Sequence, residues 1–207
     1  MKLLVLVLSL ISFTGFAQNF EGKIVYKNSY KSKVPNFSDE QFTTAAGVHV
    51  DYYIKGNNYM CTFDGTYMKG MTYIGAENKG FTYLGISDSV YWEDYSVYND
   101  TATGYEIKKD AAYVMGLLCD AIIVTSHKGK VTSYYNKKYG IDPEVYKNHA
   151  NGHWYYIISK IKAVPIKTIT ENDMFIVTST AVSITPGKLS SKLFEVKDRS
   201  KLAPARF

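Results

Sequence analysis

Arginine is almost missing from this chain of 207 residues: Arg199 and Arg206, both near the carboxyl end, are the only two among 24 basic residues. The planar guanidinium fork is the usual reader of phosphates and guanine edges. The lysines that carry the rest of the charge are scattered among 19 carboxylates instead of forming a stripe. A formal net charge of +5 in that pattern describes a solvated surface and speaks against a nucleic-acid partner. Cysteine is equally scarce, since Cys61 and Cys119 are the only two and form no CxxC pair for dithiol chemistry. Long apolar runs are missing after residue 17, where nothing approaches the roughly 20 residues of a membrane span, so no integral membrane protein is expected. The chain also has no GxSxG elbow, HExxH, P-loop or GxGxxG following a strand. No internal repeat or low-complexity linker divides it.

What is present begins with Lys2, the apolar run Leu3 to Phe13, and small residues at Gly15 and Ala17. This is the pattern of an export signal cut before Gln18, which leaves residues 18–207 as one β-rich domain bound for the periplasm or the cell exterior. Gln18 in place of cysteine speaks against a lipid anchor at the new amino terminus. In an oxidising compartment Cys61 and Cys119 have two readings. A bridge would close a loop of nearly sixty residues and stabilise by about 4 kcal/mol on the chain-entropy account; alternatively both are buried free thiols.

Strand patterns dominate the chain. From Phe20 to Tyr30, Phe20, Gly22, Ile24, Tyr26 and Tyr30 share one parity, while Glu21, Lys23 and Lys27 share the other. Ser38 with Gln41, flanked by Phe37 and Phe42, predicts a capped and stapled helix from Asp39 to Ala46 that stops at Gly47. Residues 49–98 read as a meander whose strands are separated by Gly56-Asn57-Asn58, Asp64-Gly65 and Asn78-Lys79-Gly80. The polar segment 101–112 reads as a loop, 116–126 and 131–139 as a hairpin, and Asp142-Pro143-Glu144 as a helix start ended by Asn151-Gly152. Segments 154–161, 165–170 and 175–185 read as strands, and Leu193 to Val196 as a short edge strand. Ile122, Val124, Ile176, Val182 and Ile184 are core candidates. Nine to eleven antiparallel strands with two short helices predict a mainly β fold, a single strongly curved antiparallel sheet forming an open or incomplete barrel.

No catalytic residue or metal ligand set emerges. His149 and His153 are four apart, but Asn151 and Gly152 break the helical face that a zinc pair needs, so the histidines read as ordinary surface residues. Ser126 and His127 are adjacent, which points their side chains to opposite faces. Two aromatic clusters remain, and from them Trp92, Tyr95, Tyr98, Trp154 and Tyr156 are the candidate ligand-lining residues.

The carboxyl half carries a family resemblance. Met115-Gly116-Leu117-Leu118-Cys119-Asp120-Ala121, then Ile141-Asp142-Pro143-Glu144, Val164-Pro165-Ile166-Lys167 and Lys192-Leu193-Phe194-Glu195-Val196, together with the amino-terminal Phe20-Glu21-Gly22-Lys23-Ile24, resemble an exported bacterial family of unknown function related to the outer-membrane lipoprotein carriers. The resemblance implies an unclosed curved sheet, two short helices on its concave side, and a cavity that in the carriers receives acyl chains. Lys162-Ala163-Val164 stands where related chains tend to have a glycine-rich turn, and no counterpart of the carriers' arginine is present.

The expectation is therefore an exported, monomeric, non-enzymatic envelope protein that binds an apolar or amphiphilic molecule, such as a lipid or acyl chain, without a cofactor. The alternative is an interaction module with a filled core that docks another envelope protein. A hydrolase is a more remote third.

Overall fold

The computed structural model describes residues 19–205, so the export signal read over residues 1–17 lies outside the described residues. In chain order the elements are β1 (Gly22–Ser32), α1 (Asp39–Ala46), β2 (His49–Lys55), β3 (Asn58–Phe63), β4 (Met68–Ile74), β5 (Lys79–Leu84), β6 (Val90–Asp94), β7 (Ala102–Val114), β8 (Leu117–Ser126), β9 (Gly129–Gly140), α2 (Trp154–Ile161), β10 (Ala163–Asn172), β11 (Phe175–Pro186) and β12 (Leu202–Pro204). All twelve strands form one sheet, in the order β12-β6-β5-β4-β3-β2-β1-β11-β10-β9-β8-β7. Two antiparallel meanders meet where β1 pairs with β11, and only β12 runs parallel to its neighbour.

Connectivity alone requires this sheet to curl. Strands β6 and β7 stand second and twelfth in the order, ten spacings apart, which is about 48 Å in a flat sheet. The chain from Asp94 to Ala102 has eight peptide steps and reaches at most about 28 Å. The sheet must therefore bend back on itself, and it does so without closing: β7 and β12 are its two edges. No helix among the described residues is long and apolar enough to cross a membrane.

The inner face holds the main core, in which Ile24, Ile54, Tyr73, Tyr146, Ile158 and Ile166 are almost fully buried. Helix α2 plugs the curl, burying Ile157, Ile158 and Ile161. Residues 154–161, expected from sequence to be a strand, form this helix instead. β-branched and aromatic residues favoured a strand, but Trp154, Ile157, Ile158 and Ile161 follow the i, i+3, i+4, i+7 spacing of one helical face. Gly152, in the left-handed region at φ 62°, turns the chain into this helix.

Helix α1 matches its expected span, with the Ser38–Gln41 capping box formed and the Phe37 and Phe42 rings 4.6 Å apart, edge to face. It covers the other end of the inner face, where Phe42 stacks on Tyr30 and meets Phe175. Asp142 caps a 3-10 turn over Pro143–Tyr146, shorter than the helix expected there.

Segment 101–112 belongs to edge strand β7; its polarity misled because an edge strand buries little, and residues 106–111 are all exposed. Leu193 to Val196 forms no strand: a 3-10 turn, Ser191–Phe194, folds over the outer face, where Val196 packs on Phe81 and Val90. Among the core candidates Ile122 and Val124 are buried, but Val182 is 51% exposed. Strand β11 carries one extra residue opposite Val25/Tyr26 of β1, and the resulting bulge turns Val182 outward.

Candidate functional site

Side chains of Tyr26 and Asn28 leave β1 on the same face, and their cross-strand partners define a floor: Val50 and Ala181 oppose Tyr26, Ser179 opposes Asn28, Phe63 opposes Val50, and Thr168 opposes Ser179. Above this floor, beside Trp154 at the start of α2, lies a cavity of about 200 Å³ lined by Tyr26, Asn28, Val50, Tyr52, Phe63, Trp154, Val164, Pro165, Thr168 and Ser179. Tyr26, Tyr52, Phe63, Trp154, Thr168 and Ser179 are its half-buried lining residues, while Asn28, Val50, Val164 and Pro165 are buried. Pro165 has no N–H for the β9 ladder, which slips on either side of it. Its carbonyl accepts the Tyr26 hydroxyl at 2.7 Å.

Four buried side-chain polar atoms among the described residues have no protein hydrogen-bond partner: Asn28 Oδ1, Tyr52 Oη, Trp154 Nε1 and His149 Nδ1. The first three belong to lining residues of this one cavity. An unpaired buried polar group costs about 1–3 kcal/mol, and native folds hold few of them. Three of the four thus fall on residues around this one cavity. Burial pushes the Tyr26 and Tyr52 hydroxyls far above the usual phenol range, so both stay neutral.

Beside the cavity runs a stacked ladder of Tyr52, Tyr59, Tyr73 and Tyr95, with successive centroids 5.6, 5.0 and 5.5 Å apart. Tyr95 lies flat over Gly80, where a Cβ would overlap its ring. His149 packs against Tyr73 and Tyr95, and its Nε2 is 2.7 Å from the Tyr59 hydroxyl. Burial lowers the pKa of His149 to about 4, against an opposing push from nearby backbone. The inner face around the cavity is thus filled by rings.

A second, wider depression of about 1020 Å³ follows the seam where the sheet fails to close, with Tyr98, Asp100, His153 and Tyr156 among its lining. His153 Nε2 lies 3.2 Å from Asp100 Oδ2, both side chains being largely buried. Burial works to raise the Asp100 pKa, but hydrogen bonds from Ser126, His153 and the Lys128 amide outweigh it and hold the carboxyl below its usual range. This pair pins the β6–β7 connection to the start of α2.

The five candidate rings do not gather at one place. Trp154 lines the inner cavity; Tyr98 and Tyr156 line the seam; Tyr95 is the end of the ladder, its hydroxyl 3.1 Å from Met71 Sδ. Trp92 faces the opposite side of the sheet, packed with Phe81 and Val90 under the Lys79 ammonium, 4.4 Å from its centroid. Asn28, Tyr52 and Tyr26 were not singled out from sequence. An amide on the buried parity of β1, in line with Ile24, Tyr26 and Tyr30, was the available signal.

Cys61 and Cys119 are free and buried, so the bridged alternative is not formed. Strands β2, β1, β11, β10 and β9 separate β3 from β8 in the sheet. His149 and His153 are also buried, not surface residues, because the segment carrying them lies inside the curl. Among the described residues no group of three or more His, Cys, Asp or Glu is placed to hold a metal ion.

No protein-family model and no curated protein matches the chain. Two solved structures of PNGF-II, in space groups C2 and P21, are similar to 90% of it, with TM-scores of 0.49 and 0.47 at 10% and 11% identity. The chain spans 31% of the length of those PNGF-II chains.

Proposed function

We propose that this chain is a non-enzymatic binding protein of the cell envelope, exported by its first seventeen residues, which takes a small amphiphilic molecule into the cavity beside Trp154 on the inner face of the sheet. One observation carries the reading: three of the four unpartnered buried polar atoms belong to residues lining that cavity. Its size narrows the ligand. An apolar cavity of about 150 Å³ accepts benzene, and drug-sized ligands need about 300–1,000 Å³. At about 200 Å³ the cavity takes a single ring or a short chain, and the tyrosine ladder leaves no room beside it for a long acyl chain.

Native mass spectrometry of protein purified gently from the envelope tests this. A retained mass of about 100–200 Da, released on denaturation, supports the proposal; a retained phospholipid restores the acyl-carrier reading. A bare polypeptide that stays bare after incubation with pooled envelope metabolites defeats both.

A second reading draws on a different feature. Strand β7 is a free sheet edge, and Tyr105, Tyr113 and Met115 on or beside it are exposed by 50%, 74% and 45%. Exposed rings and a methionine on an otherwise polar edge fit an interaction module that accepts a partner's strand. Tyr113→Lys then abolishes co-purification of an envelope protein while leaving small-molecule binding intact; unchanged co-purification removes this reading.

A further inference from the structure

The unpartnered polar atoms carried by the residues around the inner cavity are chemically unequal, and their inventory restricts what fits. Trp154 Nε1 can only donate a hydrogen bond. Asn28 Oδ1 can only accept one, and the amide nitrogen beside it already donates to the Tyr30 hydroxyl at 2.9 Å. The Tyr52 hydroxyl does either. The Tyr26 hydroxyl is committed to the Pro165 carbonyl. A ligand that satisfies this set must therefore bring at least one donor and one acceptor.

None of the ten lining residues is Lys, Arg, Asp, Glu or His. A charged ligand would leave water without finding a counter-ion, which disfavours both cations and anions. Four of the ten are aromatic, and the Tyr26 and Tyr52 rings stand edge to face at 6.1 Å, an arrangement that favours a flat guest.

Resting on the reading of this cavity as a ligand site, we infer that it takes a neutral, ring-containing molecule of about ten non-hydrogen atoms bearing both a hydrogen-bond donor and an acceptor, the chemistry of a primary aromatic amide. Trp154 donates to the guest's acceptor, Asn28 Oδ1 accepts from its donor, and Tyr52 completes either half.

Three probes of nearly equal size separate the requirements: benzamide is neutral with donor and acceptor, benzoate is charged and only accepts, and toluene has neither. Titration calorimetry, read alongside Trp fluorescence, is expected to show benzamide binding at one site per chain, with benzoate and toluene each at least about tenfold weaker. Asn28→Leu, Tyr52→Phe and Trp154→Phe should each weaken benzamide by about tenfold, and Tyr52→Phe should leave toluene unchanged. Thermal unfolding of each variant separates a lost contact from a lost fold. If benzoate or toluene binds as tightly as benzamide, the assigned chemistry is wrong while the ligand site stands. If a folded protein binds none of the three, even at millimolar concentration, both the assignment and the binding proposal fall.

Discussion

Acidification should weaken this fold through His149 before the hydrogen-bonded Asp64, Asp100 and Asp120 titrate. An exposed histidine titrates near 6.5, but burial among Tyr59, Tyr73, Tyr95, Tyr146 and Trp154 lowers His149 to about 4. All of these rings are neutral, and none compensates an imidazolium. The sign follows from proton binding. Between pH 6.5 and 4 the unfolded chain holds this proton and the folded chain does not, so stability is full above 6.5 and falls as pH drops towards 4. At 1.36 kcal/mol per pH unit the loss over that interval is about 3 kcal/mol, a large part of the 5–15 kcal/mol typical of a domain. Asp64, Asp100 and Asp120, held below the usual carboxylate range, lose their contributions at lower pH. His149→Phe isolates the effect, because a phenyl ring keeps the packing and cannot titrate. Urea unfolding at pH 7 and pH 5 should show the natural protein losing about 2 kcal/mol more than the variant. The lost Tyr59 contact shifts the variant equally at both pH values and cancels in the comparison. Equal losses in the two proteins would refute the argument.

The Tyr95 contact on Gly80 makes Gly80→Ala costly: the new methyl overlaps the ring, and unfolding should show a loss of about 2–3 kcal/mol. Gly104→Ala on β7, where a Cβ meets open space, should stay within about 0.5 kcal/mol, and similar values for the two would refute the ladder packing. The thiols give a third test. Burial pushes Cys61 up to about 12 and raises Cys119 as well, so neither should react with a thiol reagent at neutral pH in the folded protein, whereas denaturant should release two reactive thiols without a reductant. A count of zero in denaturant would mean a bridge.

The parts of the fold that were legible from sequence are those where local chemistry and tertiary packing agree. Ser38, Gln41, Phe37 and Phe42 specify α1 among themselves, and the turns at Gly56-Asn57, Asp64-Gly65 and Asn78 divide the first meander without help from distant residues. Where packing overrode local preference the reading failed. Trp154 to Ile161 has strand-forming side chains but a helical stripe, and the core filled by Ile157, Ile158 and Ile161 decides between them. Strand β7 shows the reverse case, since its pairing with β8 holds a polar sequence extended although burial contributes little. The rings were visible as a class, but their separation among cavity, seam, ladder and outer face depends on register. In a sheet, one residue of slip exchanges the two faces.

Register also explains why the cavity lies where it does. At the level of Tyr26, two neighbouring strands lose regular pairing: β11 through the extra residue that turns Val182 outward, and β10 through the slips on either side of Pro165. Bulges bend a strand and redirect its side chains, and here they coincide with small residues, Ala181, Ser179 and Thr168, on the inner face. Across the sheet, the same face carries Tyr59, Tyr73 and Ile54, which fill their space. A chain selected only for stability would place a leucine or isoleucine at Ser179, close the gap and leave Asn28 without purpose. Ser179→Leu converts that contrast into a test: it should fill the cavity, abolish benzamide binding, and leave the unfolding midpoint unchanged or raised. A variant that still binds benzamide with unchanged affinity would place the ligand elsewhere.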